Sequence, residues 1–220
     1  GITQGRVVYN NIRKVIFLLI STGAAEILLV IYSLLFATAL PLFPLQLLWL
    51  NLVTNGIQDV ALAFEPAEGN EIKQPARAPN EAIFNRLMIE RVVINAFVMG
   101  SLAFSLFYWQ INNGVSEFDA RNMTLLLMVL FENVHVLNSR SESHSIFKQY
   151  FFGNKFLLFG MLAAQGIHIL AMYTPGLKDL LQISPVSLDQ WLMLFGIATV
   201  LIVVDEIHKL IHNSKLGHVN

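Results

Sequence analysis

The sequence predicts an all-α membrane protein: a bundle of six transmembrane helices, the second partly unwound, with both termini cytoplasmic. Three observations predict it. Of the 220 residues 55% are hydrophobic and only 13% charged, whereas a soluble domain carries about a quarter charged residues. Six stretches approach the roughly 20 apolar residues that a helix needs to cross a hydrocarbon core. The 14 Lys and Arg divide unevenly between the two sides.

In chain order the expected spans are 14–39, 44–64, 87–110, 121–139, 154–174 and 188–210. Pro41 and Pro44 separate the first two. The polar run EPAEGNEIKQPARAPNE (65–81), rich in Pro and Gly, cannot lie in lipid and closes the second. Asn112, Asn113 and Gly114 end the third, SRSESHS (139–145) follows the fourth, and Pro175, Gly176 and Pro185 precede the sixth. One side carries Arg6, Arg13, Lys14, Lys73, Arg77, Arg86, Arg91, Arg140, Lys148, Lys155, Lys209 and Lys215, and the other only Arg121 and Lys178. The positive-inside rule puts the first set, with both termini, in the cytoplasm. Trp49, Trp109 and Trp191 fall toward the outer ends of their spans, as an interfacial belt requires.

A net charge of −1 gives no indication of a nucleic-acid partner, and the absence of cysteine excludes disulfides and thiolate metal sites. The chain opens on Gly1 with no leader, so the expectation is a piece of a longer multi-pass protein of a plasma or inner membrane. No glycine-rich nucleotide loop, G-x-S-x-G elbow or H-E-x-x-H pair occurs.

The second span raises the functional question. Its centre, NLVTNGIQD, sets Asn51, Thr54, Asn55, Gly56, Gln58 and Asp59 among apolar flanks. Glu26 and Glu132 place further carboxyls inside the first and fourth spans. Each acid at bilayer depth costs on the order of 2.5–3.5 kcal/mol by insertion scales. One buried acid can be a protonated or hydrogen-bonded packing group, but three beside amides and a hydroxyl point to a function. Asn51, Asn55 and Asp59, spaced by four, would stack along one face of a regular helix. If the backbone unwinds near Gly56, it frees carbonyls as well. Carboxylate, amide, hydroxyl and backbone oxygens are what a hard cation requires, so Glu26, Asn51, Thr54, Asn55, Asp59 and Glu132 form a candidate site for a transported cation. His208 and His212 have a metal-ligand spacing but no third ligand. His135 and His168 read as packing groups, and Gly160 with Ala164 as a small pair that lets helices approach.

These motifs carry a resemblance. GRVVYNNIRKVIFLLIS (5–21) followed by Glu26 resembles the stalk and fifth membrane helix of P-type cation pumps. PLQLLWLNLVTNG (44–56) with ALAFEP (61–66) resembles their sixth helix, closest to the calcium-pump branch. FENVHVLNSRSE (131–142) is similar to the eighth helix, and LDQWLMLFGIATVLIVVDEIHKLI (188–211) to the tenth. The resemblance implies that the chain is the C-terminal transmembrane domain, residues 1–220, of an ATP-driven pump. The phosphorylation, nucleotide-binding and actuator domains and the first four helices would lie outside it. It implies cation ligands at Glu26, Asn51, Thr54, Asn55 and Glu132, and ATP with Mg2+ as cofactors of the whole pump, none bound by this chain. It also implies that Arg6, Arg13 and Lys14 couple to the phosphorylation domain. Two positions depart from the calcium-pump pattern: Gly23 stands where those pumps have Asn, and Asn55 where they have Asp. Asp59 stands where they have a small residue, as if one carboxylate had moved.

The polar cluster alone would also suit a secondary cation transporter or channel, although the inverted repeat expected of one is not visible, or a truncated, non-transporting membrane fragment. The topology has a direct check. Cysteines introduced at Gly114 and Gly176 are expected to react with an impermeant reagent applied outside intact cells, and one at Gly69 is not. Labelling at position 69 would overturn the assignment of sides.

Overall fold

The computed structural model describes residues 1–67, 69, 83–142 and 144–217, with side chains through Ser214. Lys73 and Arg77, counted above on the basic side, lie outside the described residues, as does the side chain of Lys215. The described residues are helical and contain no strand. The elements are α1 (Ile2–Leu35), α2 (Pro44–Trp49), a π-helical turn (Leu50–Thr54) and α3 (Asn55–Leu62). They continue with α4 (Arg86–Asn112), α5 (Glu117–Ser139), α6 (Lys155–Tyr173), the short α7 (Leu177–Leu181) and α8 (Leu188–Gly217). Among the described residues four helical stretches are long and apolar enough to cross a membrane: Ile2–Leu35, Arg86–Asn112, Lys155–Tyr173 and Leu188–Ser214. Each turns large apolar side chains outward, for example Leu34, Val93, Leu162 and Leu192, at 61% to 74% exposure. Such exposure is costly in water and costless in lipid.

Local chemistry sets the boundaries. α1 stops at Leu35, short of the expected 39, because Ala37 turns left-handed at φ 49° and the Thr38 N–H closes on the Ser33 carbonyl. Pro44 then opens α2, where its missing N–H costs nothing. Ser116 caps α5, accepting a hydrogen bond from the Asp119 N–H, with Glu117 and Asp119 in the positive first turn. Asn154 caps α6 by accepting from the Leu157 N–H.

α5 is the axis of the bundle. Every residue from Ala120 to Glu132 is buried, and α5 packs against α1, α3, α4, α6 and α8. A helix buried on all sides can carry polar groups only where a neighbour meets them. Small residues let the others close in. A Cβ on Gly100 of α4 would lie 2.9 Å from the Leu28 Cβ and 3.0 Å from the Ala25 carbonyl oxygen of α1. One on Gly160 of α6 would lie 2.9 Å from the Ala61 Cβ of α3, so Gly160 serves the close helix contact read from the sequence.

The end of the bundle that holds the termini is closed by buried ion pairs. Arg91 of α4 and Lys209 of α8 reach Asp205 of α8 at 3.1 and 3.0 Å, with all three at most 2% exposed. Both also donate to the Asn138 carbonyl of α5. Arg140 pairs with Glu65 at 2.7 Å, and Asn154 donates to the other Glu65 oxygen at 2.8 Å. Arg91, Lys209 and Arg140 are thus internal struts, because Asp205 and Glu65 are buried opposite them. Arg13 lies 2.9 Å from Glu142, and Lys14 is 4% exposed. Both side chains are therefore buried within the bundle.

The glycine contacts make a paired prediction. Gly100→Ala is expected to cost about 1–3 kcal/mol through overpacking against backbone, read as a lower unfolding midpoint in detergent. Gly166→Ala in α6, with nothing within 4 Å of its added Cβ, is expected to be neutral or slightly stabilising. Equal midpoints for the two variants would contradict the close approach of α1 and α4.

Candidate cation site

The site is built where α2 passes into α3. Phe43 and Gln46 fix the start: the Phe43 N–H donates to Gln46 Oε1 at 2.9 Å, while Gln46 Nε2 donates to the Leu181 carbonyl at 2.9 Å. Trp49 Nε1 donates to His168 Nδ1 of α6 at 3.1 Å, so His168 is a hydrogen-bonded packing group, as its setting in the sequence suggested. The chain then widens into the π turn at Leu50–Thr54. A π turn inserts one residue into the helix and leaves carbonyls less well paired. Here Asn51 Nδ2 donates to the Leu47 carbonyl at 2.9 Å, and Thr54 Oγ1 lies 3.0 Å from the Leu50 carbonyl.

Asn51 and Asn55 share a face, as their spacing suggests: Asn51 meets Glu26 and Asn55 meets Thr22, one turn apart on α1. Asn51 is exposed, Asn55 is fully buried and Asp59 is half-buried. Thr54 and Asn55, adjacent in sequence, face different neighbours. Thr54 Oγ1 donates to Glu132 Oε2 of α5 at 2.5 Å, and Asn55 Nδ2 donates to Thr22 Oγ1 of α1 at 2.9 Å. Gly56 does not owe its place to crowding, since a Cβ there would meet only the Asn51 carbonyl, at an ordinary 3.6 Å.

Five of the six sequence-derived site residues are brought together in pairs or beside one another. Asn51 Nδ2 reaches both Glu26 oxygens, at 2.9 and 2.7 Å. Thr54 meets Glu132, and Asn55 joins the two pairs through the backbone. In this arrangement Asn51 offers Glu26 its amide N–H groups, so its carbonyl faces a cation only after the amide turns over. Asp59, the sixth, makes no hydrogen bond to the other five, and its Oδ1 is buried without a partner.

Several oxygens here have no donor. Asn55 Oδ1, Gln58 Oε1, Asp59 Oδ1 and Glu132 Oε1 are all buried and unpartnered. Three of these acceptors lie on one turn of α3 and the fourth on α5, which packs against it, and oxygens of this kind are what a hard cation satisfies.

Some polar partners were not assigned a role from the sequence. Thr22 lies one turn before Glu26. Gln58 lies one turn after Thr54 and donates to Asn133 Oδ1 at 2.7 Å; Asn133, next to Glu132, donates to Gln165 Oε1 of α6 at 2.8 Å. Stepping four residues back along α1 from Glu26 would have found Thr22, whereas Gln58 stood out as a polar residue of the second span without an assigned role. Gln165, on another helix, carries no such signal. His135, expected to be a packing group, hydrogen-bonds Ser21 and packs against the Phe17 ring. His208 and His212 stack with centroids 6.5 Å apart, and no group of three His, Cys, Asp or Glu able to hold a metal occurs among the described residues.

Residues 39–211 match the family model described as "Cation transporting ATPase, C-terminus". The chain belongs to this cation-transporting ATPase family. It is 32% identical over 203 residues to the calcium-transporting ATPase of Bacillus subtilis, a match that covers 91% of the chain and 22% of that relative. It is 27% identical over 204 residues to the probable cation-transporting ATPase F of Mycobacterium tuberculosis, covering 93% of the chain and 22% of the relative. To the calcium-transporting ATPase type 2C member 1 of Mus musculus it is 26% identical over 215 residues, covering 98% of the chain and 23% of the relative. The chain therefore spans about a fifth of the length of these relatives, and the ATPase-family match runs through α2 to α8.

The Thr54–Glu132 contact makes the site's local prediction. Thr54→Val keeps the shape but leaves a second Glu132 oxygen unpaired, which is expected to cost about 1–3 kcal/mol of stability. Thr54→Ser keeps the hydroxyl and is expected to recover most of it. Unfolding midpoints in detergent that are the same for Val and Ser would contradict the contact.

Proposed function

We propose that this chain is the membrane part of an ATP-driven cation pump and supplies part of a cation-binding site near the bilayer midplane. The observation that carries the reading is the set of four buried, unpartnered oxygens on Asn55, Gln58, Asp59 and Glu132. Family membership supports it. So do the pairs Glu26–Asn51 and Thr54–Glu132, which bring three helices to one place. In this reading the helix 44–64 and α5 also cross the bilayer, giving six spans with both termini cytoplasmic in a plasma or inner membrane. Thr54, Asn55, Gln58 and Glu132 lie in the protein interior, where a partially broken helix is tolerated. The π turn is the place where the second span unwinds further when a cation takes the backbone carbonyls.

The phosphorylation and nucleotide-binding domains, the actuator domain and four further helices belong to the rest of the pump, which uses ATP and Mg2+. Its partners are the bilayer and the inorganic cation, with no nucleic acid. Glu26, Asn51, Thr54, Asn55, Asp59 and Glu132 are the proposed ligands. With an amide at position 55 and a carboxylate at position 59, the site holds fewer ions, or a less highly charged one, than a site built of more carboxylates.

The test is cation-dependent phosphorylation from ATP by the full-length protein that carries this chain, titrated with calcium, sodium, potassium and manganese. Glu26→Gln and Glu132→Gln keep size and remove charge, so each is expected to raise the half-activating cation concentration without loss of folded protein. Asp59→Asn is expected to do the same. Unchanged activation in both glutamate variants would remove them from the site, and an unchanged curve in Asp59→Asn alone would restrict the site to the other five residues.

A further inference from the structure

Gln58 belongs to neither the sequence-derived ligand set nor the family motif, yet it is the most deeply committed amide on α3. It is fully buried. Its Nε2 donates to Asn133 Oδ1, and Asn133 Nδ2 donates in turn to Gln165 Oε1. The two outer ends, Gln58 Oε1 and Gln165 Nε2, are buried with no partner. The three amides therefore form a relay with a direction, an acceptor exposed at the α3 end and a donor at the α6 end. Turning over one amide alone would set carbonyl against carbonyl or N–H against N–H, so the polarity changes only as a unit. In the observed polarity the free acceptor lies one turn along α3 from Thr54. Its relay partner Asn133 directly follows Glu132, whose Oε1 is also free.

A purely structural tie between α3 and α5 needs only the Nε2 donor and leaves the cost of a bare buried carbonyl unexplained. A cation supplies the missing partner for that oxygen. We propose that Gln58 Oε1 is a further ligand of the transported cation, and that Asn133 and Gln165 hold it in its acceptor polarity. α6 thus bears on cation affinity through a neutral amide chain, with no carboxylate of its own in the site. Reversal of the relay would present Nε2–H groups to the site and disfavour any cation there. The inference rests on the cation-site reading above.

The experiment measures the thermal unfolding of the full-length protein in detergent against the concentration of calcium, sodium, potassium and manganese in turn. Two quantities are read, the midpoint without cation and the cation concentration that gives half of the stabilisation. Gln58→Met is expected to raise the half-saturating concentration by roughly tenfold or more, and Gln165→Met by roughly tenfold although it places no atom in the site. Gln58→Glu keeps an oxygen at the position, and Asn133 and Gln165 can turn together so that Asn133 donates to it; this variant is expected to retain the stabilisation. Should Gln58→Met fail to fold, Gln165→Met decides. If the methionine variants lower only the cation-free midpoint and leave half-saturation unchanged, Gln58 is a structural tie and the proposal is wrong. If Glu132→Gln also leaves half-saturation unchanged, or no cation stabilises the wild type, the cation-site reading fails and takes this inference with it.

Discussion

The hydrogen bond from Thr54 to Glu132 governs what the rest of the bundle must do. Glu132 sits at zero exposure on a helix enclosed by five others, where no water is at hand to solvate a carboxyl. An acid in that position is tolerable only if the structure brings polar groups to it, and each such group must itself be satisfied. The second span meets that requirement. Thr54 and its neighbour Asn55, about 100° apart around the helix, turn to α5 and to α1. Asn51 faces Glu26. One segment thereby serves two carboxyls on two different helices.

The same constraint orders the polar residues along α5. Glu132 meets Thr54, Asn133 meets Gln58 and Gln165, and His135 meets Ser21. One turn on, the Asn138 carbonyl receives Arg91 and Lys209, and Arg140 meets Glu65. Toward the end that holds the termini the partners of α5 become ion-paired groups, Arg91 and Lys209 with Asp205 and Arg140 with Glu65. Breaking one partner of the Arg91–Asp205–Lys209 cluster would strand buried charge, a far larger penalty than the cluster's own net contribution. The cluster is better understood as fixing the register of α4, α5 and α8 than as a source of stability.

Much of this was legible in the sequence, and the reasons are physical. Apolar length and the breaks at Pro44, Gly114 and Gly176 mark helix ends because they act within a few residues. Glu26, Asp59 and Glu132 stand out because carboxyls are rare in apolar runs. The motif NLVTNG pointed to both the family and the place. What the sequence did not show depends on contacts between distant helices. The Gln58–Asn133–Gln165 relay and the burial of Arg91 opposite Asp205 join residues 32 to 114 positions apart. Counting Lys and Arg by side puts Arg91 and Lys209 at the end that holds the termini, but it sees neither Asp205 nor the fold that buries all three.

The central claim is that the carboxylates and amides around the π turn bind a cation directly. Infrared difference spectra of the full-length protein in lipid nanodiscs, recorded with and without calcium, sodium, potassium or manganese, test it at the level of the bonds. The account predicts, for at least one of these ions, a shift in carboxylate stretching bands that shrinks in Glu132→Gln and again in Glu26→Gln. Carboxylate bands that do not change with any of the four ions would contradict it.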